Sequence, residues 1–202
     1  MASQYGVNTV TSVNAARPIR INSSTPIGLV GTVLLPANTV GMSEEHIVIY
    51  EEIKAGIPLF FGSADKANEF FGELEGTLRE SLDGVADQNV TGPLIVIAVE
   101  LETTHSGKVP ENFYDDLTLK SKIIKAISRL KGVAGSVGYK PNLIVALRFS
   151  HDVDIATEMT SVAQKLLAMA LVDLNADDES AAVLAVGSFG TNRVLLCDPY
   201  VK

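Results

Sequence analysis

The run Pro93-Leu94-Ile95-Val96-Ile97-Ala98-Val99 decides the fold. Pro93 opens it, and six apolar residues with strong strand propensity follow without a break. A strand with one wet face alternates apolar and polar residues, whereas an unbroken run belongs to a strand covered on both faces. The run therefore predicts a central strand between two layers of helix.

Working outward, Ile57-Pro58-Leu59-Phe60-Phe61-Gly62 reads as a strand, and Ser63 or Asp65 can cap a helix beginning at 64–68. Phe70, Phe71, Leu74, Leu78 and Leu82 recur at spacings of three and four, which predicts one helical stripe facing a core and stopping at Gly84. Further upstream, His46-Ile47-Val48-Ile49-Tyr50 reads as a strand, and Ile27 to Leu35 as another that ends at Pro36. Downstream, a helix over 117–131 precedes a strand over 143–147, and a helix over 155–174 precedes a strand over 182–186. A last strand covers 194–197. Residues 102–116 and 175–180 are polar and read as a surface excursion and a loop. Buried strands alternating with amphipathic helices predict an α/β domain with a mixed, largely parallel sheet flanked by helices. One domain over 25–202 is the economical reading.

Residues 1–24 have a different character. In Arg17-Pro18-Ile19-Arg20-Ile21, isoleucines alternate with charged residues, which suits a strand with one apolar face, and Pro18 is best tolerated at a sheet edge. Val7, Val10 and Val13 are separated by Asn, Thr and Ser, a composition with high strand tendency and too little apolar surface for a core of its own. Sequence physics leaves two readings, a frayed terminus or an extended arm that pairs with another sheet. In the second, Val7, Val10, Val13, Arg17, Ile19, Arg20 and Ile21 are the interacting residues.

Composition narrows the function classes. The chain has 202 residues, 47% of them hydrophobic, enough to bury a full core. The formal net charge of −8 argues against nucleic-acid binding, which needs clustered Lys and Arg. Lys120, Lys122, Lys125, Arg129 and Lys131 lie at helical spacing opposite Leu119, Ile123, Ile124 and Ile127. They read as the wet face of an amphipathic helix, with an acidic surface on another subunit as the alternative. No apolar run approaches the roughly 20 residues that span a bilayer, and MASQYGVNTV is not a signal peptide, so the expected location is the cytoplasm and no direct membrane insertion is expected. Cys197, the single cysteine, reads as a small buried hydrophobe.

Chemistry is sparse where an α/β sheet would place it, at the carboxyl ends of strands. Gly28-Leu29-Val30-Gly31 lacks the order of a dinucleotide fingerprint and reads as close packing inside a strand. Gly187-Ser188-Phe189-Gly190 is a broken nucleophile elbow and reads as a hairpin turn. His46, His105 and His151 have no metal-ligand spacing, and Asp152 and Asp154 are explained by capping and the helix dipole. Glu44-Glu45, Glu51-Glu52 and Asp177-Asp178-Glu179 read as solvated loop carboxylates. The expectation is a protein with no catalytic, cofactor or metal residues, not an enzyme.

The order Gly6-Val7, Arg17-Pro18-Ile19 and Ile27-Gly28-Leu29-Val30-Gly31-Thr32, followed by Gly138-Tyr139-Lys140-Pro141-Asn142-Leu143-Ile144, resembles the sheath subunit of contractile bacteriophage tails of the Mu-like, temperate kind. These motifs are moderately specific together and weak singly, and the likeness covers most of the chain. It implies a structural subunit whose arm knits it to neighbouring sheath subunits. Six-membered rings stack in a helical lattice around a tail tube protein and contract to drive the tube through the host envelope. Baseplate and terminator proteins are the further partners it implies, and the virion, assembled in the bacterial cytoplasm, the location. Sheath subunits of this family are longer, so the resemblance makes the chain an amino-terminal fragment lacking the carboxyl-terminal sheath portion. A non-viral contractile injection device has the same signature. A small α/β hydrolase or nucleotide-binding protein is the rival of another class.

Overall fold

The computed structural model describes residues 25–38, 41–88, 92–102, 116–174 and 179–197. Six strands form one sheet: β1 (Ile27–Val33), β2 (Leu59–Phe61), β3 (Leu94–Glu100), β4 (Leu143–Val145), β5 (Met169–Asp173) and β6 (Val194–Cys197). Their order across the sheet is β2-β3-β1-β4-β5-β6. Every pairing is parallel except that of the edge strand β2, which runs antiparallel to β3. With β2 set aside, the parallel strands follow the 2-1-3-4-5 order of a doubly wound sheet, whose switch point falls between β1 and β4. The expected α/β class, with a mixed and largely parallel sheet flanked by helices, is the observed one.

Period-2 geometry divides each strand between two layers. Val30, Ile95, Ile97, Ile144, Ala170 and Val172 face a cluster completed by Ile123, Ile127, Met159 and Val162 of α4 (Leu117–Arg129) and α6 (Val153–Leu166). Ile27, Leu29, Leu94 and Val96 face the other way, onto α1 (Glu44–Ala55), α2 (Ala64–Phe71) and α3 (Thr77–Asp87). The decisive run 94–99 is buried at every position. Gly28 and Gly31 are close approaches, as expected: a Cβ on Gly28 would lie 3.0 Å from Pro141, and one on Gly31 2.9 Å from the Thr77 hydroxyl.

Several expected boundaries are corrected. His46–Tyr50 is helical, inside α1, and the first turn explains why. The Ser43 side chain accepts from the His46 N–H, Glu44 and Glu45 complement the helix dipole, and Gly56 ends the helix in a left-handed conformation. Tyr50 and Ile53, three apart, are its buried residues, so capping and period outweigh β-branched propensity. Glu51 and Glu52 accordingly sit on a helix. The stripe from Phe70 to Leu82 is split, because the segment 72–76 separates α2 from α3, and Gly84 lies within α3. The helix expected over 155–174 ends at Leu166, and Met169–Asp173 is β5. Residues 182–186 belong to helix α7 (Glu179–Ser188), not to a strand. Because β5 and β6 are parallel, 187–190 closes a crossover instead of a hairpin. After α4 a 3-10 turn and the short α5 (Val133–Val137) lead to β4, which is three residues long. Cys197 is half-buried at the end of β6.

Candidate functional site

The crevice at the carboxyl ends of β1 and β4 is where a doubly wound sheet places ligands. Here the start of α3 is fastened onto β1. The Thr32 N–H donates to Thr77 Oγ1 at 2.9 Å and the Thr77 N–H donates to Thr32 Oγ1 at 3.2 Å, with both residues fully buried. Gly76, at φ 136°, passes so close over the Thr32 carbonyl that no side chain fits between them. The Leu34 N–H donates to the Glu75 carbonyl and the Leu101 N–H to that of Val33, so backbone occupies the end of β1.

Beyond β4 the polar groups serve one another. Ser150 Oγ donates to Asp173 Oδ2 at 3.0 Å and accepts from the Asp173 N–H at 3.1 Å. Asp152 caps α6, accepting from the N–H groups of Asp154 and Ile155. Lys120 Nζ lies 2.8 Å from Asp152 and 2.6 Å from Asp154. Burial works to raise the Asp152 pKa, but Lys120 and the two backbone donors outweigh it and hold the carboxyl below its ordinary range. Lys120 is raised in turn, first by its hydrogen bond to Asp152 and then by that to Asp154. Capping is therefore the role of Asp152, as expected.

The basic stripe on α4 is more than a wet face. Lys122 pairs with Glu102 at 2.6 Å, Lys131 with Glu158 at 2.8 Å, and Arg129 donates to the Gly56 carbonyl at 2.7 Å. These contacts tie α4 and the 3-10 turn that carries Lys131 to their neighbours within the chain. His46 is on α1, where Nδ1 meets Ser43 Oγ at 2.5 Å and the ring stacks on Phe70 with centroids 5.1 Å apart. His151 precedes α6, and His105 lies outside the described residues. Among the described residues, no group of three His, Cys, Asp or Glu side chains is placed to hold a metal ion.

The arm residues Val7, Val10, Val13, Arg17, Ile19, Arg20 and Ile21 lie outside the described residues. The turn Gly138-Tyr139-Lys140-Pro141 lies within them, and it fastens β4. Pro141 is buried against Gly28, Lys140 Nζ donates to the Leu166 carbonyl, and the Asn142 N–H donates to the Pro26 carbonyl at 2.8 Å. No family model matches the chain, and no curated protein matches it. The surface itself has to indicate what the domain does.

One surface stands out. Register places Val96, Leu29, Val145, Leu171 and Leu195 in a single row across β3, β1, β4, β5 and β6 on the face that carries α3. Val96 and Leu29 are sealed, Val145 and Leu171 are half-buried, and Leu195 is 53% exposed. Between this row and α3 lies a groove of about 640 Å³, walled by Leu143, Val145 and Leu171 on the sheet and by Ser81 and Val85 on the helix. The Arg148–Glu80 ion pair, 2.6 Å, stands at its rim. Sequence reading missed this groove because it missed β5. The signal was the apolar run 168–172 directly after Leu167, which reads as the tail of a long helix until β6 needs a partner. Helix α7 is also open, with Val183, Leu184 and Val186 exposed.

Proposed function

We propose that this chain is a structural subunit of a contractile sheath, joined to its neighbours through residues 1–24 and arranged in stacked rings around a tube. The carrying observation is the sequence of those residues: an alternating, proline-marked segment with too little apolar surface for a core, leading directly into a fully buried strand. The resemblance of this segment and of the 138–144 turn to the phage sheath family supports the same reading, and a phage tail is the specific setting we favour. In such a lattice, backbone hydrogen bonds between arm and neighbour persist while rigid domains rotate, so the assembly shortens without coming apart.

The test is deletion of residues 1–24 from the complete sheath protein expressed with its tube partner, read by electron microscopy and circular dichroism, with the undeleted protein forming tubes as the control. The expected outcome is a folded domain that forms no tubular sheath. Normal tubes from the deletion would overturn the reading. So would a clear rise in melting temperature with a nucleotide or divalent metal, since a true ligand site stabilises by mass action.

A further inference from the structure

Strand β2 covers only part of the β3 edge. The Ile27 N–H donates to the Pro93 carbonyl and the Leu101 N–H to that of Val33, so odd-numbered positions of β3 turn their backbone groups to β1 and even-numbered ones turn outward. Leu59, Phe60 and Phe61 pair with Val96, Ile95 and Leu94 and stop there. The outward groups of Ala98 and Glu100 lie beyond that pairing.

The cause is the cap of α1. Continued antiparallel register would set Ile57 opposite Ala98, but the Ile57 N–H donates to the Glu52 carbonyl at 2.9 Å in the turn where Gly56 ends the helix. Among the described residues no backbone partner meets Ala98 or Glu100 on this side. Ala98 is 3% exposed, and both residues line a cleft of about 230 Å³ between α4 and the end of α1. An unpaired backbone group in such a place needs a partner.

The cleft is also basic. Lys54, Lys122, Lys125 and Arg129 line it, against the Glu100 carboxylate. Lys54 and Lys122 are engaged by Glu51 and Glu102. Arg129 has a neutral partner, the Gly56 carbonyl, and Lys125 forms no ion pair among the described residues. Two positive charges therefore face one negative charge, on a chain whose net charge is −8.

We infer that this cleft receives an aspartate or glutamate side chain from an acidic segment of a partner protein. A carboxylate brings two accepting oxygens. One meets the N–H of Ala98 or Glu100, and the other meets the Arg129 guanidinium or the Lys125 ammonium in a charge-assisted bond. The cleft is smaller than the roughly 300–1,000 Å³ of small-molecule pockets, which suits one side chain entering head first. The inference stands apart from the sheath reading and holds for any partner with an exposed acidic segment.

Nitrogen–proton NMR of the isotope-labelled chain tests it. The probes are a blocked tetraglutamate peptide, a blocked tetraglutamine peptide and inorganic phosphate, all at matched ionic strength. The expected result is a saturable downfield shift of the Ala98 and Glu100 amide protons with tetraglutamate and none with tetraglutamine. Lys125→Gln, at an exposed position where substitution leaves the fold intact, should weaken binding several-fold. Lys165→Gln, an exposed lysine on α6, should leave it unchanged. Shifts scattered over the lysine-bearing surface with the Ala98 and Glu100 amides unmoved would overturn the inference, because general charge attraction would then suffice. Equal affinity in Lys125→Gln, or an equal response to tetraglutamine, would do the same. Phosphate giving the same shifts at equal or lower concentration would also overturn it, by assigning the cleft to a free anion.

Discussion

Thr32 and Thr77 are 45 positions apart in the chain, yet each backbone N–H is satisfied by the other's hydroxyl. Both residues are fully buried, so neither has water as a substitute. Thr77→Val keeps the shape and removes one partner, leaving the Thr32 N–H unpaired; the expected loss is about 1–3 kcal/mol, measurable by urea denaturation. The Gly28 and Gly31 contacts at this strand were legible in advance, because two glycines inside an apolar run signal close backbone approach. What approaches was not legible. Nothing local to Thr32 indicates that a threonine on a later helix will meet it.

Capping decides the helices as elements. Asp152 begins α6 and also holds Lys120 of α4, so one carboxylate joins a cap to an interhelical pair. Asp152→Ala should cost about 1 kcal/mol through the lost cap alone, whereas Asp152→Asn keeps the cap and loses the charge. The pH dependence follows from the sign of the shift. The folded pKa of Asp152 is lowered, so its contribution is complete above the ordinary carboxylate value and disappears as pH falls through the folded one. The stability gap between the natural chain and Asp152→Asn should therefore be present near neutrality and close as the medium becomes strongly acidic. Denaturation midpoints across that range check it. This cap was readable from His151-Asp152-Val153-Asp154. The cap of α1 by Ser43 was equally present in the sequence, but the β-branched run behind it masked the helical spacing of Tyr50 and Ile53.

The two faces of the molecule differ in how much of the sheet they seal. Ile97 faces the α4–α6 layer and is fully buried, so Ile97→Ala should cost about 2–5 kcal/mol. Leu195 ends the open row, and Leu195→Ala should change the stability of the isolated domain by less than about 0.5 kcal/mol. Equal losses at the two positions in chemical denaturation would mean that the groove face is covered by the chain itself. Among the described residues no helix is long and apolar enough to cross a membrane. Val183, Leu184 and Val186 of α7 are exposed together with Leu195 of β6.

The sequence by itself determined the α/β class, the doubly covered strand at 94–99, the cap at Asp152, a helix start at Ser63 or Asp65, and the distinct composition of residues 1–24. Each depends on residues close together in the chain, where period, propensity and capping act directly. Only the tertiary structure decided that 169–173 is a strand and that α7 is a helix. Both are short and apolar, and such a run takes its conformation from the neighbour available to it: β5 exists because β4 and β6 pair with it. The open groove is likewise tertiary. It arises from strand order and the fixed hand of the crossovers, which no single segment encodes.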